Sequence, residues 1–253
     1  MLGRRPRREP VNRNERITVN NWSRIIQQWL FPPTCLLCGA PGLAGRDLCA
    51  GCAHDLPYLD ANCIRCALPL AVPGSAVCGN CLRHPPSFDQ THAALTYREP
   101  VRHMVHALKF HRRYPFARLL GSLLADSLAG RADLPERLIP VPLHRHRFSQ
   151  RGFNPSAEIA RDLGRRLSIP LDNGAVSRQR ATVSQVGLTA EARARNVRRA
   201  FTVRSPFSWR HVAIIDDVMT TGSTVNELAT ALRHAGAERI EVWVCARASL
   251  DRS

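Results

Sequence analysis

Residues Val212 to Gly236 read VAIIDDVMTTGSTVNELATALRHAG, and their order decides the fold. Val212, Ala213, Ile214 and Ile215 form a short apolar run bounded by turn chemistry, which predicts a buried strand. Two carboxylates follow at once, Asp216 and Asp217, and then a hydroxyl-rich turn, Thr220-Thr221-Gly222-Ser223-Thr224. Val225, Leu228 and Leu232 repeat at helical spacing, and Gly236 stands where a helix stops. The turn therefore opens a helix. The first N–H groups of a helix lack partners and its dipole there favours an anion. Gly222 permits close approach of the backbone, and the Thr and Ser hydroxyls add donors. Carboxylates do not suit that anion; Asp216 and Asp217 suit neutral hydroxyls one sugar away. The layout fits a ribose 5-phosphate. A plain strand–turn–helix needs one capping residue and not this whole set.

The run resembles the phosphoribosyl diphosphate (PRPP) motif of type I phosphoribosyltransferases. The resemblance implies that Asp216 and Asp217 hold the ribose hydroxyls, as the catalytic pair, and that Thr220, Thr221, Gly222, Ser223 and Thr224 wrap the 5-phosphate.

The whole chain has 253 residues, 44% apolar, enough for one medium domain and a small module. No apolar run approaches the roughly 18 residues that cross a bilayer, and no apolar stretch follows the RRPRR start, so no export is expected. The formal charge is +16, carried by arginine; Lys109 is the only lysine. Such an excess attracts polyanions such as nucleic acid or phosphorylated metabolites. Residues 1 to about 17 read as a polar tail, and Trp22, Ile25, Ile26, Trp29 and Leu30 as one face of a short helix ended by Pro32-Pro33.

Four CxxC pairs follow: Cys35/Cys38, Cys49/Cys52, Cys63/Cys66 and Cys78/Cys81. Two such pairs complete a tetrahedral sulfur site for Zn²⁺. Consecutive pairing gives two sites; interleaved pairing, or a single occupied site, is also compatible with the spacing. Without an export signal, disulfides are disfavoured. Closed four-sulfur sites have no open position, so the module is structural or recognitive. Cys245, in an apolar run, reads as a buried thiol.

Beyond Pro85-Pro86, Ala93 to Tyr97 reads as a strand, and Val101 to Leu108 as a helix ended by Lys109. Leu119 to Leu128 continues with a second helix. Leu138 to Val141 is a strand opening into a cationic loop with Leu143, Arg145, Arg147 and Arg151; Asn154 then caps a helix with Pro155 at its first position. The stretch PVPLHRHRFSQRGFNPSAEIA resembles the competence protein F family, which also carries a cysteine-rich module. The resemblance to type I phosphoribosyltransferases places the PRPP pyrophosphate on the loop from Leu143 to Arg151. Lys109, a point ammonium where every other cation is arginine, reads either as a contact to phosphate or pyrophosphate or as a cation set favourably at a helix C-terminus. The competence protein F resemblance also makes the segment with Arg178, Arg180, Thr182, Gln185, Arg193 and Asn196 a flexible loop over the site. The expected fold is α/β: a type I phosphoribosyltransferase-like parallel sheet with helices on both faces, preceded by a double zinc ribbon. The expected domains are a basic tail and helix (1–33), the ribbon (34–86) and the transferase-type domain (87–253). Mg²⁺ is expected with PRPP.

Two functions stand at this point. One is transfer of phosphoribose to an acceptor that no residue identifies, in a cytoplasmic role within DNA uptake or the use of DNA as nutrient, the setting that the resemblance to the competence protein F family implies. The other is a non-catalytic protein that handles single-stranded DNA, with the PRPP fold as a sensor and Phe148, Phe153 and Trp209 as stacking candidates.

Overall fold

A four-stranded parallel sheet organises the larger part of the chain. Its strands are β1 (Gln90–Thr96), β2 (Arg137–Pro140), β5 (His211–Met219) and β6 (Arg239–Arg247), in the order β1-β6-β5-β2. The strands β3 (Val176–Arg178) and β4 (Phe201–Val203) form a separate antiparallel pair. Beyond Pro86, the helices among the described residues are α1 (Val101–His111), α2 (Pro115–Ser127), α3 (Arg145–Arg151), α4 (Pro155–Leu167) and α5 (Ser223–His234). The computed structural model describes residues 32–70, 75–179 and 200–249. The basic tail, the helix expected at Trp22 to Leu30, and the loop residues Arg180, Thr182, Gln185, Arg193 and Asn196 lie outside the described residues. The chain divides into two compact units, Met1–Ala53 and His54–Ser253.

Parallel strands buried on both faces read as near-continuous apolar runs. β5 and β6 do so: Val212 to Ile215 and Ile240 to Ala246 are 0% exposed throughout. Side chains alternate between faces. Val212 and Ile214, with Ile240, Val242 and Val244, join a core with Val225, Leu228 and Leu232 of α5 and with Val176 and Phe201 of the antiparallel pair. On the opposite face α2 and α4 pack on each other and on the sheet. The expected α/β sheet with helices on both faces is thus present. Cys245 is fully buried, as its apolar surroundings required.

Three local expectations are corrected. The central strand does not end at Ile215; β5 runs on to Met219, because its partner β6 pairs with it as far as Met219↔Arg247. The acidic pair is therefore strand and not turn. The stretch after β2 is not a loop throughout: Arg145–Arg151 is helical, with His144 accepting from the His146 N–H and Gly152 (φ 81°) closing it in the left-handed region. Helix α1 continues past Lys109 to His111 and turns at Arg112.

The chain leaving the fourth CxxC pair is fastened to α5. Ser87 N–H donates to Asn226 Oδ1 at 2.7 Å, the Ser87 and Thr230 hydroxyls are 2.8 Å apart, and Arg233 Nε donates to the Ser87 carbonyl at 3.1 Å.

Candidate functional site

The sequence order of β5, turn and α5 folds into one continuous cradle. Gly222 caps α5 with φ 82°, a conformation that an L side chain rarely adopts. A Cβ there would stand 2.7 Å from Met219 Cε. The Thr221 and Ser223 hydroxyls lie 2.8 Å apart, and Ser223 N–H points to Thr221 Oγ1 at 3.4 Å. Residues Thr220 to Thr224, with Asp216, Met219 and Val225, line a small concavity at the start of the helix. Donor-rich backbone and hydroxyls at the start of a twelve-residue helix are chemistry that suits an anion.

Asp216 and Asp217 stand just before it. Asp216 Oδ1 accepts from Ser156 Oγ of α4 at 2.8 Å and from the Asp217 N–H at 3.0 Å. Burial, and then the charge on Asp217, push the Asp216 pKa up to about 7. Asp217 is buried and accepts from Lys109 Nζ at 2.6 Å. Burial disfavours the Lys109 charge, but Asp217 more than restores it and raises its pKa. The lone lysine is thus the counter-charge of the acidic pair.

The basic side lies next to it. Val141 N–H donates to the Ile215 carbonyl at 2.9 Å, which sets the segment after β2 beside the carboxyl end of β5. Ligands of open parallel sheets bind at that edge. Asn154 Oδ1 accepts from Ser156 N–H and its Nδ2 donates to the Val141 carbonyl at 2.9 Å, so one residue starts α4 and holds the loop. Arg151 and Arg178 are both partly desolvated, which lowers their pKa; Asp217 opposes this for Arg151 and Asp216 for Arg178. Arg147 repels both. Arg151, Arg178 and Lys109 therefore share the field of the acidic pair, with Arg147 near enough to repel the two arginines. Leu143 is half-buried in the loop, and Arg145 is exposed. Of the stacking candidates, Phe153 is buried and Trp209 lies under the Arg137 guanidinium, 3.9 Å from its ring centre. Phe148 is exposed.

The cysteines form two tetrads, paired consecutively: Cys35, Cys38, Cys49 and Cys52, and Cys63, Cys66, Cys78 and Cys81. Within each, all four sulfurs lie within 4.8 Å of one another. Cys38 and Cys49 sulfurs are 3.6 Å apart, Cys66 and Cys78 sulfurs 3.7 Å. A tetrahedron of Zn–S bonds of about 2.3 Å has edges of about 3.8 Å, so both sets fit zinc. Burial opposes charge on Cys63, yet N–H donors of Cys78, Cys66 and Arg65 bring its pKa down to about 7. The same balance, with donors of Cys49, Cys38 and Leu37, brings Cys35 to about 6. Thiolates, and not thiols, bind the metal.

Sequence reasoning missed Ser156 and Arg247. Ser156 is one residue beyond the Pro155 that marks the helix start. Arg247 had a fainter signal, a lone cation closing the apolar run IEVWVCAR.

A parallel α/β sheet with an anion cradle and an acidic pair at its carboxyl edge, preceded by two four-sulfur sites, defines a phosphoribosyl transferase-type domain joined to a double zinc ribbon. Residues 26–82 match the double zinc ribbon domain family and residues 150–252 the phosphoribosyl transferase domain family. The chain belongs to the competence protein F family. It is 38% identical over 222 residues to the DNA utilization protein YhgH of Salmonella typhimurium, covering 85% of this chain and 97% of that one. It is 37% identical over 226 residues to competence protein F of Haemophilus influenzae, covering 85% and 96%. A solved glutamine PRPP amidotransferase from B. subtilis aligns with 51% of this chain and 25% of its own at 21% identity, with a TM-score of 0.35. No helix among the described residues is long and apolar enough to cross a membrane.

Proposed function

We propose that the C-terminal domain binds PRPP and transfers its phosphoribosyl group, with loss of pyrophosphate, to an acceptor met during the use of DNA. The observation that carries this reading is the acidic pair placed directly before the Thr220–Thr224 cradle at the carboxyl edge of the sheet. In this reading the cradle takes the 5-phosphate, and Asp216 and Asp217 accept hydrogen bonds from the ribose hydroxyls. The reaction at C1 develops positive charge on the sugar and negative charge on the departing pyrophosphate. The carboxylates oppose the first; Arg147, Arg151 and Lys109, with Arg145 and the Leu143 backbone alongside, suit the second. Lys109 is the group that changes partner: it neutralises Asp217 here, and hydroxyl donors to Asp217 release its ammonium toward phosphate. Mg²⁺, if bound, would be held mainly by phosphate oxygens and water and would supply charge neutralisation for the pyrophosphate, with Asp216 and Asp217 the nearby oxygen donors of the chain. The segment from Arg178 to Asn196 would exclude water, whose attack wastes PRPP. The two tetrads would hold structural zinc.

Calorimetry with PRPP and Mg²⁺ tests the binding, and pyrophosphate release with added bases or single-stranded DNA tests the chemistry. Asp216→Ala and Asp217→Ala should abolish both. Heat that survives the two substitutions together would refute the site.

A second reading, single-stranded DNA handling without transfer, is favoured by exposed rings beside arginines. Phe110 and Phe148 are exposed, and the Arg151 guanidinium sits 5.6 Å from the Phe110 ring centre. Stacking with interleaved cations is how such proteins hold bases. Phe110→Ala with Phe148→Ala should weaken labelled oligonucleotide binding about tenfold or more; unchanged anisotropy titrations reject this reading.

A further inference from the structure

The second tetrad is built into the sheet. Cys63, Cys66 and Cys81 belong to the same buried core as β5, β6 and α5. Three successive carbonyls of the Cys63–Cys66 knuckle are claimed by the sheet. Ile64 C=O accepts from Thr91 N–H at 2.9 Å, Arg65 C=O from Thr91 Oγ1 at 2.6 Å, and Cys66 C=O from Arg247 Nε at 2.7 Å. Arg247 is 2% exposed. Its Nη1 turns the other way and donates to the carbonyls of Met219 (2.9 Å), Thr220 and Ala248 (2.8 Å). One guanidinium thus spans from a metal knuckle to the two residues that lead into the 5-phosphate cradle. Those acceptors are all neutral carbonyls. A buried cation requires an opposite charge, and the second tetrad, whose Cys66 carbonyl Arg247 holds, is the group beside it that carries one when loaded. A four-thiolate zinc site carries a formal charge of about −2. The loaded site is a counter-ion for Arg247.

We propose that Arg247 is a positioning residue that couples the second cysteine tetrad to the Thr220–Thr224 cradle, so that zinc in that tetrad and PRPP in the cradle strengthen each other's binding. The inference rests on the sugar-phosphate reading of the cradle. Zinc holds the knuckle and supplies the charge that keeps Arg247 buried. Arg247 fixes the carbonyls of Met219 and Thr220, and with them the direction of the N–H groups beyond Gly222. Coupling between two sites is reciprocal, so a ligand in the cradle must also retain the metal.

The test uses the intact protein loaded with zinc. Zinc release to a coloured chelator is timed with and without saturating PRPP in excess Mg²⁺, beside calorimetry of PRPP on the same sample. PRPP should slow release of one of the two ions by roughly tenfold, the usual size of such coupling. The Cys35→Ser/Cys38→Ser variant, which keeps only the ion of the second tetrad, should show the slowing undiminished. Arg247→Lys keeps a cation but not the fork that reaches both sides; it should bind PRPP more weakly, and saturating PRPP should no longer slow release. Heat with PRPP but unchanged release in the wild-type protein overturns the coupling alone. So does slowing that persists in full in Arg247→Lys. Absence of heat in the wild-type protein overturns the sugar-phosphate reading and this inference with it.

Discussion

The segments after β5 and after β2 lie side by side at the carboxyl edge of the sheet, yet they are held by different means. The acidic one is set by backbone. Gly222 adopts a left-handed conformation, a hydroxyl pair bridges the turn, and Arg247 fastens its leading carbonyls from below. The basic one is set by side-chain caps, His144 and Asn154, and it presents long cations on a two-turn helix. A backbone cradle has its donors aimed before a ligand arrives. Arginines on a short helix keep rotamer freedom and lose it on binding. Under the proposed function, the pair would divide into a fixed seat for the terminal phosphate and an adaptable arm for a group that must depart.

The comparison breaks first if the acidic side does not depend on its counter-charge. Lys109→Met leaves Asp217 buried and unpaired, and should lower stability by about 2–4 kcal/mol in denaturant titrations. Lys109→Met with Asp217→Asn should recover most of that loss.

Asp216→Asn comes next and has a definite pH signature. The folded pKa, about 7, lies above the ordinary value of 3.8, so the ionised carboxylate costs stability as pH rises through that interval. The substitution should stabilise the protein by on the order of 1–3 kcal/mol at pH 8 and by nothing near pH 4. The same variant should bind PRPP more weakly at pH 8. Thermal melts from pH 4 to 8 decide this; a gain that does not change with pH would remove Asp216 from the account.

Gly222→Ala tests the fixed seat. A positive φ and a Cβ against Met219 Cε should cost about 1–2 kcal/mol and weaken inorganic phosphate and PRPP together. Arg147→Ala tests the adaptable arm and has the smallest expected effect on folding, within about 0.5 kcal/mol. It should weaken pyrophosphate and leave ribose 5-phosphate binding unchanged. Equal losses for both ligands would erase the division between the two segments.

The difference also explains what could be read in advance. The cradle is contiguous, so its strand, acids, turn and helix appear in order between Val212 and Gly236. Asn154-Pro155 announced a helix start by the same local logic, and CxxC spacing announced the tetrads. Contacts made by distant residues were not legible. Lys109 and Asp217 are 108 positions apart, and Arg247 reaches Cys66 across 181. The length of β5 depends on its pairing with β6, which no local pattern records. The helical turn of Arg145–Arg151 was hidden because it buries no side chain and so shows no apolar periodicity; Phe148, its one apolar residue, is exposed. Of the cationic residues, Arg147 and Arg151 could be nominated from composition, but only the folded chain separates them from exposed Arg145.

The knot at Ser87 bears on how the molecule can be cut. Its backbone amide, hydroxyl and carbonyl all end on α5, two turns of which would lose their lateral anchor if the polypeptide began any later. A truncation that starts after Cys81 would also bare the flank of β5 and β6 that Cys63, Cys66 and Cys81 cover. The compact unit that opens at His54 keeps that flank covered and carries the whole second tetrad with it.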